Sequence, residues 1–178
     1  MTKPRLRIGL IGTGFMGKAH VFGYTSAPRV FDLPFDLELH TVADITPLAA
    51  ARAAQALGFA HATANWRDII ASPEIDLVSI TAPNALHKEM SLAAIAAGKH
   101  VYCEKPITHL FAEGQAVYRE VAKRNAVFQT GSQQRSDTKF RIAVEVVWCA
   151  DGKHCFGQKQ RGAGLEILSR TECDCDVA

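Results

Sequence analysis

Short apolar runs alternate with amphipathic or alanine-rich stretches from Leu6 to Thr130. Leu6–Ile11 (LRIGLI), Leu37–Ala43 (LELHTVA), Phe59–Ala62, Asp76–Thr81 (DLVSIT), His100–Cys103 and Val127–Thr130 read as strands. Each is a short apolar run closed by glycine, proline or a polar residue. Gly17–Thr25, Pro47–Leu57, Trp66–Ala71, His87–Ala97 and Ala112–Arg124 read as helices. Pro47 opens its helix, where a missing N–H costs little, and Gly58 and Gly98 stand where helices should stop. Val30–Phe35 (VFDLPF) widens the first connection, and Thr138–Trp148 has the pattern of one more helix. Strands alternating with helices imply right-handed βαβ units and a parallel sheet covered on both faces. The expected fold is therefore α/β, a doubly wound parallel sheet of Rossmann type.

Composition narrows the function classes. The chain has 178 residues, 48% of them hydrophobic and 21% charged, with a net charge of +2 and no long like-charged run. A basic face for nucleic acid is not indicated. No apolar run reaches the ~20 residues that span a bilayer, and no signal-peptide pattern precedes the first strand. A cytoplasmic protein is expected, with no membrane partner. Cys103 falls in the fifth strand, whereas Cys149, Cys155, Cys173 and Cys175 crowd the end of the chain. A small buried role suits Cys103, and Trp66 and Trp148 are assigned to packing.

Candidate chemistry begins at the end of the first strand. Gly12-Thr13-Gly14-Phe15-Met16-Gly17 is G-x-G-x-x-G between a predicted strand and a predicted helix, the context that makes the motif informative. The first glycine permits the turn, the second lets backbone approach a pyrophosphate, and the third lets helix pack on strand. Free N–H groups and the positive dipole end of the helix then suit phosphates. Asp44 closes the second strand, where an acidic residue takes the adenosine ribose hydroxyls, usually about 20 residues on. The Val30–Phe35 connection accounts for its longer spacing. A carboxylate there repels a 2′-phosphate, so NAD is favoured over NADP. The competing role, capping the next helix, fits Thr46 better. Ligands of such sheets bind beyond the carboxyl ends of the strands. The Thr81–His87 loop and the Glu104-Lys105-Pro106 loop should therefore face the same crevice. On position alone Lys105 could equally be a solvated strand-end lysine, and His87 a first-turn helix residue.

The segments GLIGTGFMGKAH, VADITPLAAARAAQALG, TAPNALHKE and AAGKHVYCEKP, in that order, resemble the Gfo/Idh/MocA family from about residue 5 to about residue 148. The resemblance implies an NAD(P)-dependent oxidoreductase that moves hydride between nicotinamide and a hydroxyl of a sugar, inositol or related polyol. It implies that Lys105 is catalytic, holding or relaying the hydroxyl proton, with Glu104 orienting it and a Lys105–Pro106 bond that is often cis. It also implies that Thr81, Pro83, Asn84 and His87 form a second cofactor loop, with Glu104, Lys105 and Pro106 beside the nicotinamide.

The family also has a second, α+β domain that carries the substrate pocket and a catalytic histidine, and no such pattern follows here. Residues 1–131 are expected to be the dinucleotide-binding domain, 132–148 the start of a connection, and 149–178 an anomalous tail. After Trp148 resemblance, periodicity and ordinary cysteine usage end together, which suggests a frameshifted or misjoined reading that the coding DNA would test. The tail's Cys149, His154, Cys155, Cys173 and Cys175 lack the paired spacing of a zinc site, so no metal is expected. The alternative to the enzyme is a truncated nucleotide-binding fragment that binds NAD(H) without turnover. A methyltransferase is disfavoured, since neither later loop is needed to hold its cosubstrate. Oligomeric state is left open.

Overall fold

A computed structural model of the chain describes residues 3–143. Six parallel strands form one sheet: β1 (Arg5–Ile11), β2 (Asp36–Ala43), β3 (His61–Thr63), β4 (Leu77–Ile80), β5 (His100–Glu104) and β6 (Phe128–Gly131). Their spatial order is β3-β2-β1-β4-β5-β6. The order reverses at β1, which pairs with both β2 and β4, and that reversal leaves a crevice at the strands' carboxyl ends. Five helices connect them: α1 (Phe15–Val30), α2 (Pro47–Leu57), α3 (Trp66–Ala71), α4 (His87–Ala96) and α5 (Phe111–Arg124).

The doubly wound sheet expected from the sequence is present. Its core explains the near-continuous apolar runs of the central strands, since a sheet covered on both faces buries side chains on each. Ile8, Leu10, Val42, Val78 and Ile80 are fully buried. Trp66 packs against the larger cluster, around Ile69, Ile75 and Ile95. Truncating one of the buried isoleucines or leucines to alanine costs about 2–5 kcal/mol.

Several boundaries differ from the sequence reading for local reasons. Helix α1 runs past Thr25 to Val30, because Pro28 falls in its last turn and removes one internal bond without ending it. Thr46 caps α2 by accepting from the Ala49 N–H at 3.1 Å, and Gly58 ends it in a left-handed conformation. Strand β5 extends one residue further than expected and takes in Glu104. Contacts divide the chain after Gly131. Of the unit that begins at Ser132, the described residues run to 143 and include a 3-10 turn, Gln133–Ser136, and helix over 138–143. The rest of the helix expected over Thr138–Trp148, the tail 149–178 with its four cysteines, and Trp148 lie outside the described residues.

Candidate functional site

Gly12, Asp44, Thr81 and Lys105 each follow the last residue of β1, β2, β4 and β5, so parallel pairing brings all four to one edge of the sheet. Backbone bonds tie the strand ends together: the Gly12 N–H donates to the Ala43 carbonyl at 3.0 Å, and the Thr81 N–H to the Ile11 carbonyl at 2.9 Å. The Thr81 hydroxyl lies 2.8 Å from the Gly12 carbonyl oxygen. Thr81 therefore clamps the glycine turn and the following loop to each other.

The three glycines of the loop have different reasons to be glycine. Gly12 has φ +96°, and a Cβ on it would stand 2.9 Å from the Thr81 carbonyl. Gly17 is buried in the first turn of α1, and its Cβ would stand 2.3 Å from the Gly12 carbonyl oxygen. Both are required by the protein's own packing. Gly14 is not: its φ is −64°, and a Cβ there would meet nothing within 4 Å. Gly14 is also the N-cap of α1, where no side chain caps the helix and no acidic residue occupies the first turn. The N-terminal N–H groups of α1 thus have no side-chain cap and lie beside an unhindered glycine.

Asp44 borders this space. Its carboxylate accepts from the Thr13 hydroxyl and, at 2.6 Å, from the Ile45 N–H. With Thr46 capping α2, Asp44 is left to the glycine loop.

The second loop turns through a 3-10 segment, Asn84–Leu86, in which the Leu86 N–H donates to the Pro83 carbonyl at 2.9 Å. Pro83 and Asn84 are exposed at the crevice edge, whereas His87 is 1% exposed. Its ring nitrogens face two carbonyl oxygens, Nδ1 that of Pro106 at 2.7 Å and Nε2 that of Ala82 at 2.8 Å. A loop carbonyl stands beside each ring nitrogen, so His87 links the two loops at their base. The Lys105–Pro106 bond is cis.

Glu104 and Lys105 diverge. The Lys105 side chain is exposed, and among the described residues no carboxylate holds its ammonium. Glu104 is 4% exposed and accepts the Lys105 backbone N–H at 3.0 Å. Its other oxygen lies 3.1 Å from Nε2 of His20, whose Nδ1 lies 2.8 Å from the Ser79 hydroxyl. His20, Ser79 and Tyr24 did not figure in the sequence reading. The available signal was that Gly17, His20 and Val21 mark the buried face of α1 at helical spacing, and a histidine on that face needs partners.

Cys103 is buried in β5. Burial, with the Glu104 charge beside it, pushes its thiol up to about 11. It is a packing residue, since thiolates react and thiols do not. Among the described residues no group of three or more His, Cys, Asp or Glu side chains could hold a metal, and no helix is long and apolar enough to cross a membrane.

The arrangement matches known proteins. A family model described as an oxidoreductase family with an NAD-binding Rossmann fold, Gfo/Idh/MocA, matches residues 6–132. Levoglucosan dehydrogenase of Pseudarthrobacter phenanthrenivorans is 39% identical over 143 residues, 80% of this chain and 37% of that enzyme. Inositol 2-dehydrogenase 3 of Saccharopolyspora erythraea is 34% identical over 143 residues, 80% of this chain and 40% of that enzyme. A solved structure of levoglucosan dehydrogenase in complex with NADH superposes with a TM-score of 0.72 at 42% identity, covering 74% of this chain and 36% of that one. The chain spans about two fifths of the length of the curated relatives it matches. It belongs to the Gfo/Idh/MocA family of oxidoreductases, and residues 6–132 are that family's NAD-binding Rossmann domain.

Proposed function

We propose that the chain binds NAD(H) in the crevice at the carboxyl ends of β1, β2, β4 and β5, as part of an oxidoreductase acting on a hydroxyl of a sugar, cyclitol or related polyol. Gly14 carries the reading. Packing explains Gly12 and Gly17, while nothing in the protein itself requires a glycine at 14. Approach of a pyrophosphate to the backbone supplies the reason. The uncapped N–H groups of α1 would take the phosphates, and Gly12 to Gly17 would form their cradle. Asp44 would accept the ribose hydroxyls, and its charge would disfavour a 2′-phosphate, hence NAD over NADP. Thr81, Pro83, Asn84 and Pro106 would border the nicotinamide half, with His87 holding their loops together.

Bound NAD supplies the hydride acceptor. Lys105 is exposed at the strand end without a carboxylate partner among the described residues. Its Nζ would hold or relay the proton that leaves the substrate hydroxyl as the C–H bond gives up hydride. The dehydrogenases of levoglucosan and inositol among the relatives support a polyhydroxylated ring as the substrate class.

Fluorescence titration of the full chain with NADH tests the cofactor, and turnover of levoglucosan and myo-inositol with NAD tests the chemistry. Saturable binding is expected, and its absence refutes the reading. Polyol oxidation that is unchanged in Lys105→Ala removes the lysine from the reaction. Binding with no turnover of any polyol leaves the nucleotide-binding alternative standing.

A further inference from the structure

Side chains from three elements converge on Glu104, beneath the loop that carries Lys105. The carboxylate is 4% exposed, and burying a charge is costly unless it is hydrogen-bonded. Each of its oxygens has a partner. Oε2 accepts the Lys105 N–H at 3.0 Å, and Oε1 lies 3.1 Å from His20 Nε2. His20 Nδ1 lies 2.8 Å from Ser79 Oγ, to which the Tyr24 hydroxyl donates at 3.1 Å. Tyr102 stacks on the His20 ring, with centroids 4.5 Å apart and 15° between planes. A Cβ at position 131 would fall 2.5 Å from Glu104 Oε1, so even β6 keeps the space clear.

One direction of donation satisfies every contact along the chain. Burial raises the Tyr24 phenol well above its usual value, against the Ser79 hydrogen bond, so Tyr24 remains a donor to Ser79. The Ser79 proton then goes to Nδ1 of His20, which leaves Nε2–H to donate to Glu104. Reversing the ring would set an Nε2 lone pair against a carboxylate, and a doubly protonated ring would strand the Ser79 proton. A serine, histidine and glutamate in line invite comparison with a hydrolytic triad, but Ser79 is 0% exposed and its oxygen reaches no substrate.

We propose that Tyr24, Ser79 and His20 form an oriented hydrogen-bond chain that holds Glu104 beneath the end of β5 and, through it, fixes the backbone of Lys105. His20 is thus a positioning residue of the crevice. Its functional meaning rests on the role proposed above for Lys105, but the chain itself exists without cofactor and can be tested without it.

The test uses the full chain, with imidazole nitrogen NMR and amide hydrogen exchange. The His20 signal, identified by its loss in His20→Gln, is expected as the Nε2–H tautomer. A dominant Nδ1–H or doubly protonated ring overturns the proposal. Exchange at the Lys105 amide is expected to rise about tenfold in His20→Leu, with the Ile8 and Leu10 amides changing far less. His20→Gln, which returns a donor near the Nε2 position, is expected to restore protection. Uniform acceleration across β1 and Lys105, or no rescue by glutamine, reduces His20 to a packing role. Should His20→Leu not fold, Ser79→Ala decides instead: exchange at the Lys105 amide is expected to rise while the Ile8 and Leu10 amides change far less, and an unchanged Lys105 rate refutes the chain. Absence of NADH binding by the wild type would refute the proposed function, and leaves these outcomes to judge the hydrogen-bond chain separately.

Discussion

Substituting the glycines of the first loop separates what the fold needs from what a ligand needs. Gly14→Ala adds a methyl that meets nothing within 4 Å, at φ −64°, which alanine adopts readily. Alanine is a poorer N-cap than glycine, but it also restricts the unfolded chain, worth about 0.4–1 kcal/mol. The two effects oppose each other, and stability should change by less than about 1 kcal/mol, a few degrees in Tm. Gly17→Ala differs sharply: its Cβ would lie 2.3 Å from the Gly12 carbonyl oxygen, and the helix must move away from β1, at about 1–3 kcal/mol. NADH affinity should reverse the ranking for Gly14. The added methyl stands where the pyrophosphate would approach, and loss of one charge-assisted bond costs about 1.5–3 kcal/mol, or ten- to hundred-fold in Kd. Thermal unfolding and fluorescence titration on the same preparations provide both numbers. Gly14→Ala with unchanged NADH affinity, or with a Tm loss as large as that of Gly17→Ala, would refute the argument.

Three further outcomes are expected. Asp44→Ala should narrow the preference for NADH over NADPH, read as the ratio of the two dissociation constants, because the charge that repels a 2′-phosphate is gone. Partial burial pushes the Asp76 carboxyl up, but bonds from the Arg7 side chain and backbone, with the charges of Arg7 and Lys99, outweigh it and hold it below its usual value. The stability this adds is present above the unfolded value, about 3.9, and disappears as pH falls through the lower folded value. Urea unfolding of Asp76→Asn should therefore show a loss at pH 7 that shrinks toward pH 3, whereas a loss of equal size at both would remove Asp76 from the acid response. Cys103 should resist alkylation in the native chain at pH 8 and react on unfolding, followed by mass spectrometry of its peptide, since burial both shields the thiol and raises it.

What the sequence revealed depended on the range over which each signal acts. The glycine loop, the stops at Gly58 and Gly98 and the Thr46 cap are local backbone events, and their residue types announce them. Strand alternation was legible because both faces of the sheet are covered. The extent of α1 was not, because Pro28 reads as a breaker until its place in the final turn is known. His20 was invisible for another reason: its partners Ser79 and Glu104 lie 59 and 84 residues away and meet it only through the order of β1, β4 and β5. His87 opens α4, the first-turn position that the sequence offered, but which way its ring points depends on the carbonyls of Ala82 and Pro106, both supplied by loop conformation.

The central claim is that the carboxyl edge of this sheet is a dinucleotide site. Amide NMR of the labelled full chain with increasing NADH tests it most directly. Shifts should saturate and concentrate at Thr13 to Gly17, Asp44, Thr81, Asn84 and Lys105, while Arg5, Leu37 and His100 at the opposite edge stay in place. No saturable shifts, or shifts centred on the amino ends of the strands, would contradict it.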